Sequence, residues 1–356
     1  MTSVGEAALV VVHPGLASTV QDRGRQGWQR FGVPVSGALD RVALAAANTV
    51  AGNGPDEAGL ECLYQGCELE VRADSVRVAV AGAGASLEIG GGDAGAVARI
   101  AALESVTAAR GQRIRVRMAG PSISTYLAVE GGFALAPVLG SRSTYARAKL
   151  GGIEGRVLRA ADVIELALGA ATGRGEMKLG EVDLMPATVV RVVAGPQDDH
   201  FTAEALEAFV AQPYVVQPAS DRMGLRLSGQ RLAHKHGADI VSDGIAPGAI
   251  QVPGDGLPIV MLADRQTTGG YTKIATVISA DLPALGRVGP GATLRFTFVE
   301  VEAAEVLARE MAARIAEWRG QLMPAGRAGG GLERLYDANL ISGVTGGAAC
   351  CVEGAR

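Results

Sequence analysis

Lysine is nearly missing from this chain. Only four of its 33 basic residues are lysines (Lys149, Lys178, Lys235 and Lys273), and none follows a glycine, so no Walker A phosphate loop can be written in the 356 residues. Aromatic residues make up 4%, and a formal net charge of −4 gives no sign of a nucleic-acid surface. No run of 18 apolar residues occurs, which excludes a membrane-spanning helix. The N-terminal MTSVGEAALVVVHPG has no basic stretch ahead of its short apolar run, and it reads as a first strand rather than a signal peptide. Cysteine is equally scarce. Cys62, Cys67, Cys350 and Cys351 fit neither C-x-x-C nor a zinc pattern, so free thiols in a reducing cytoplasm are expected, and no metal site. The G-x-S-x-G elbow and the Gly-Gly-Ser-Ser loop of amidases are absent too. Gly82-Ala83-Gly84 imitates a dinucleotide fingerprint, but Leu87 stands where its third glycine belongs. His234-Lys235-His236 has no carboxylate or cysteine at ligand spacing and reads as a solvated loop.

What the chain does have is glycine: 50 residues, about twice the usual share. With 48% hydrophobic residues and few aromatics, this suits a turn-rich, mainly β protein of about two domains. Ala8–Val12, Leu69–Val80, Ile114–Met118 and Thr125–Val129 read as strands in the first half. Leu39, Val42, Ala43, Ala46 and Val50 follow helical spacing until Asn53-Gly54-Pro55. The second half offers strands at Thr188–Val193, Tyr214–Val216, Ile250–Val252, Ile259–Ala263, Ala275–Ser279 and Leu294–Val299. A short helix is expected after a Thr202 N-cap. A longer one carries Val306, Leu307, Met311, Ile315 and Trp318 on an apolar stripe. No regular β-α-β alternation appears. Two β-barrel domains with a few helices are therefore expected, at 1–170 and 187–320, with a Gly-rich linker at 171–186 and a tail at 321–356.

Four Asp-Arg dipeptides stand at the ends of apolar elements: Asp22-Arg23, Asp40-Arg41, Asp221-Arg222 and Asp264-Arg265. An arginine fork binds a carboxylate or phosphate through two hydrogen bonds, and a neighbouring aspartate can orient it. The fourth opens the run Asp264-Arg265-Gln266-Thr267-Thr268-Gly269-Gly270-Tyr271-Thr272-Lys273, where two hydroxyls, two glycine N–H groups, an arginine and a rare lysine converge. Such a run could form a backbone nest for an anion. Gln251, the only polar side chain of its strand, is a candidate for recognising an amide.

At these residues the sequence resembles a known family. TVQDRGRQGWQRFGVPVSGALDR, VEGGF, LGSRSTY, SDRMGLRL and PGAIQVPGDGLPIVMLADRQTTGGYTKIATVISADLP are similar, in order from Thr19 to Val299, to the family of the C subunit of prokaryotic 5-oxoprolinase. That family is also labelled allophanate hydrolase subunit 2 or KipA-like, and it supplies part of the carboxyltransferase region of urea carboxylase. The resemblance implies two cyclophilin-like barrels and cytoplasmic work in a hetero-oligomer. The implied partners are an allophanate hydrolase subunit 1-like protein and a LamB/YcsF-like protein, with ATP (and Mg) at the assembled complex driving opening of a lactam. Arg265, Thr267, Thr268, Gly269, Gly270 and Lys273 are then the donors expected around phosphoryl oxygens. Asp22, Asp221 and Asp264 are expected to orient them or handle a proton, and Arg23, Arg222, Gln251 and Gln266 to bind substrate. Ser36–Asp40 and Ser220–Gly224 are expected near a subunit interface. Two rival readings remain: a biotin-dependent urea or amide carboxyltransferase component, and a KipA-like regulatory binding protein. Met177-Lys178-Leu179 imitates a biotin acceptor, but it falls in the expected linker and not on a hairpin of its own domain.

Overall fold

Alternation of aliphatic and polar residues builds the first half as two antiparallel sheets. The computed structural model describes residues 7–91 and 97–326; the expected tail lies mostly outside these residues. The order is β1 (Ala8–His13), β2 (Ala17–Gln21), α1 (Arg41–Ala51), β3 (Gly59–Leu63), β4 (Glu68–Val71), β5 (Ser75–Ala81), β6 (Ala85–Gly90), β7 (Ala98–Ala101), β8 (Ser105–Ala109), β9 (Arg113–Met118), β10 (Ser124–Val129) and β11 (Val163–Glu165). One sheet runs β11-β1-β4-β9-β6-β7 and the other β2-β3-β10-β5-β8. In β9, Ile114 and Val116 point inward while Arg113, Arg115 and Arg117 face out, as a period of two requires. The expected single strand Leu69–Val80 is two strands, interrupted at Arg72–Asp74.

The five-stranded sheet is covered on both faces. Val78, Val80, Leu127 and Val129 join the core between the sheets, whereas Ala79, Ala81, Tyr126 and Ala128 pack with α1. Asp40 caps that helix, its Oδ1 accepting from the N–H groups of Val42 and Ala43 at 3.0 Å, and Gly52 ends it at φ 99°. Residues Ala43–Ala51 are all buried, and the alanines among them let the helix lie close to the sheet.

The stretch expected as a linker carries β12 (Met177–Lys178) and is tied to the first half. Glu176 accepts from Ser105 and Thr107 at 2.6 Å, and Leu179 and Leu184 are buried. Beyond it come β13 (Val189–Ala194), α2 (Ala203–Ala211), β14 (Tyr214–Val216), β15 (Gly224–Ser228), β16 (Asp239–Gly244), β17 (Ala249–Gln251), β18 (Ile259–Met261), β19 (Thr268–Tyr271), β20 (Lys273–Val277), α3 (Leu282–Leu285), β21 (Thr293–Phe298), α4 (Val301–Glu317) and β22 (Met323–Pro324). Seven of these strands close a barrel in the order β13-β20-β17-β18-β15-β14-β21, and β16 and β19 form a separate ribbon. The barrel core gathers Val190, Val192, Phe209, Tyr214, Ile250, Val260 and Phe296. The mainly β class is as expected. α4 differs from the other three α-helices in that none of its seventeen residues is buried; its stripe is only partly covered, and Trp318 just beyond it is the first buried side chain. Among the described residues no helix is long and apolar enough to cross a membrane.

Candidate functional site

Where the two β assemblies meet, charge is buried and fully matched. Arg222, after the Asp221 turn, reaches across to Glu61 on β3. Its Nε donates to Asp264 at 2.9 Å and its Nη2 to the Gly37 carbonyl at 2.6 Å. Glu61 also accepts from Tyr126 at 2.6 Å and from the Leu39 N–H at 2.9 Å. A second tie joins Arg287 to Asp40, at 2.6 Å through Nε. Burial disfavours the Arg222 charge, but Asp264 and Glu61 outweigh it and hold the guanidinium above its usual pKa. Burial and the Glu61 and Asp40 charges push the Tyr126 hydroxyl well up. The Ser36–Asp40 and Ser220–Gly224 segments meet each other at this joint.

Beside the joint lies a cleft of about 590 Å³. The loop from Arg23 to Gln29, the start of α1, the barrel and the first turns of α4 wall it. Its floor is apolar, with Met261, Leu262, Val277 and Ile278, and its polar groups include Arg23, Arg41, Arg265, Ser36, Gln26 and Gln29. Glu305 is the only carboxylate in this lining, and it already pairs with Arg309 at 3.3 Å. Ser36 holds a φ of 54°, a region that non-glycine residues rarely occupy. Its Oγ on Asp264 at 2.6 Å and its N–H on the Ala263 carbonyl at 3.1 Å keep it there.

Arg265 decides what the cleft can do. It is 2% exposed, donating from Nε to the Ile245 carbonyl at 3.0 Å and from Nη1 to the Leu262 carbonyl at 3.3 Å, and no carboxylate among the described residues pairs with it. Burial alone pushes its pKa down to about 10. A desolvated cation without a counter-charge, at the edge of a basic cleft, has the charge to receive an anion. The four Asp-Arg dipeptides thus divide their labour. All four aspartates serve the frame: Asp22 accepts from Gly24 N–H, Ser141, Ser143 and Arg142 N–H at 2.5–2.7 Å, Asp40 caps α1, Asp221 pairs with Arg147 at 2.9 Å, and Asp264 holds Arg222. Arg23, Arg41 and Arg265 line the cleft, and Arg222 does not.

A second groove, of about 480 Å³, crosses the outer face of the six-stranded sheet. There Arg115 pairs with Glu68 at 2.6 Å and Arg117 with Glu88 at 3.0 Å, so the charges satisfy one another across the strands.

Residues 31–298 match the model of the carboxyltransferase domain, subdomain A and B. The chain belongs to that family. This carboxyltransferase-family chain is 34% identical to the 5-oxoprolinase C subunit of Escherichia coli, over 83% of its own length and 93% of that protein. It is 36% identical to the protein of the same name from Haemophilus influenzae, over 82% and 92%. It superposes on the crystal structure of the K. lactis urea amidolyase with a TM-score of 0.79 at 26% identity, covering 90% of this chain and 21% of that one.

The anion nest expected in the family segment after Arg265 does not form. Thr268–Tyr271 is strand β19, paired with β16, and neither Gly269 nor Gly270 has the positive φ that a nest requires. A Cβ at Gly269 would lie 2.7 Å from Ile245 Cδ1 and 2.8 Å from Gln251 Nε2, so these two side-chain ends lie over the glycine. Thr267 gives its carbonyl to the Ile245 N–H at 3.0 Å. Lys273 is buried with Nζ on Asp243 at 3.1 Å, and Gln266 Nε2 donates to Gln251 Oε1 at 3.3 Å. Gln251, Gln266, Thr267, Thr268 and Lys273 are not part of the cleft lining. Sequence reasoning missed Ser36, Gln26 and Gln29 as lining groups, although all three lie within the motif Thr19–Arg41.

Proposed function

We propose that this chain is the C-type component of an ATP-dependent 5-oxoprolinase, opening the lactam of 5-oxoproline to glutamate together with an allophanate hydrolase subunit 1-like protein and a LamB/YcsF-like protein. The observation that carries the reading is Arg265, a buried guanidinium with no carboxylate of its own in a cleft shared with Arg23 and Arg41. The two 5-oxoprolinase relatives, matched over nearly their whole length, support the substrate. The substrate carries a carboxylate and a resonance-stabilised amide. Arg265 and Arg23 hold carboxylate or phosphoryl oxygens, with Arg41 beside them. The floor of Met261, Leu262 and Ile278 keeps water away and strengthens each charge. ATP would supply the phosphoryl group that makes the lactam oxygen a leaving group, so that one water adds at that carbon and the ring C–N bond breaks, and a second water displaces phosphate to give glutamate. Asp22 and Asp264, saturated by their partners, keep the arginine-bearing loops in place. Among the described residues no group of three His, Cys, Asp or Glu side chains could hold a metal ion.

The test is assembly. Full-length chain is mixed with its two partners and glutamate release from 5-oxoproline is followed with and without ATP. Activity is expected only from the mixture with ATP; release by this chain alone, or none from the mixture, overturns the reading. The carboxyltransferase family match and the urea amidolyase fold favour one second reading, carboxyl transfer from biotin to an amide. Carboxylation of urea on adding carboxybiotin, without glutamate release, would establish it instead.

A further inference from the structure

The loop that walls the cleft also carries an exposed aromatic knuckle. Arg25 N–H donates to the Val35 carbonyl at 2.8 Å and pinches the base of the loop. At its tip Gln29–Phe31 forms a single 3₁₀ turn, flanked by Gly27 and Gly32 at φ 87° and 79°. A Cβ at either glycine would meet nothing within 4 Å, so the turn itself, and not close packing, requires them. Phe31 is 62% exposed and Trp28 36%, their ring centroids 5.8 Å apart, and the Arg30 guanidinium stands 4.7 Å from the Phe31 centroid. The chain has only two tryptophans, and the other, Trp318, is buried. Exposing a tryptophan, a phenylalanine and an arginine on one turn costs solvation unless another surface covers them, and these residue types dominate the energetic centres of protein interfaces.

We propose that the Trp28–Phe31 knuckle is the docking anchor for the subunit 1-like partner, which seats it in an apolar pocket with an acidic group meeting Arg30. The inference rests on the reading above, because it takes its occupant from there. A further observation favours a protein occupant: in the K. lactis urea amidolyase the matched region is 21% of the chain, so the same fold there works inside a much longer polypeptide. Because Gln26 and Gln29 of this loop line the cleft, the docked partner stands at the cleft mouth and becomes one of its walls.

The chain supplies its own reporter. In a Trp318→Phe background Trp28 is the sole tryptophan, and its emission should shift to the blue, saturably, as purified subunit 1-like protein is added. The double variant Trp28→Ala, Phe31→Ala, made in the wild-type chain, should keep its melting temperature, since both residues are exposed. Its Kd for the partner should rise about 30-fold or more. A double variant that binds the partner as tightly as wild type overturns the anchor and leaves the partner reading standing. Failure of the wild-type chain to bind the partner at all removes both. A Trp28 shift that follows the chain's own concentration, and that sedimentation assigns to a dimer, overturns the proposal in favour of a second copy.

Discussion

Arg222 and Arg265 come from the same kind of dipeptide and meet opposite surroundings. At the joint, Arg222 is clasped by two carboxylates and a carbonyl, and its charge is stabilised. In the cleft, Arg265 is more buried still, yet only carbonyls touch it, and its charge is disfavoured. One arginine has finished its bonding and the other has not. The contrast separates a strut from a binding group more cleanly than burial or residue type does.

Removing a strut should have the largest effect. Arg222→Ala leaves Glu61 and Asp264 buried without their cation, and should cost about 3–5 kcal/mol of stability in urea unfolding. A loss below about 1 kcal/mol would mean the joint carries no such weight. Arg265→Lys comes next. Lysine keeps the charge but not the planar fork, so turnover of the assembled complex should fall roughly 10²–10³-fold, or about 2.7–4 kcal/mol. Its melting temperature should fall far less than that of Arg222→Ala. A clearly destabilised complex with full turnover per folded molecule would make Arg265 a strut as well. The smallest change belongs to the outer sheet face. Arg117, half exposed and paired with Glu88, should lose no more than about 1 kcal/mol on replacement by alanine, without effect on turnover. A drop in turnover there would mark the second groove as more than a ladder of surface pairs.

Much of this contrast was half visible in the sequence. The Asp-Arg dipeptides could be seen, and so could the Arg113, Arg115, Arg117 alternation that sends charge to one face of β9. The partner of each arginine could not. Glu61 sits in the plain strand GLECL, 161 positions from Arg222, and nothing local marks it as the acceptor. The glycines after Arg265 misled for a related reason. Glycine at a turn and glycine under a tight contact look alike in sequence, and only Ile245 and Gln251, folded over Gly269, tell them apart. Six of the seven barrel strands were legible because aliphatic runs such as Val189–Ala194 stand alone between turns, whereas the short β15 was not read as a strand. The β16–β19 ribbon was not, because its residues are mostly exposed and follow no apolar rhythm.

The exposed state of α4 bears on how the cleft behaves over time. A helix with no buried residue is held by few interactions, so lifting it requires far less free energy than unfolding the barrel on which it rests. Val301, Ala304, Glu305 and Ala308 of its first turns are also part of the cleft wall. The cleft is therefore bounded on one side by the buried strands of the barrel and on the other by an element whose own residues stay largely in solvent, so its two walls differ in what holds them.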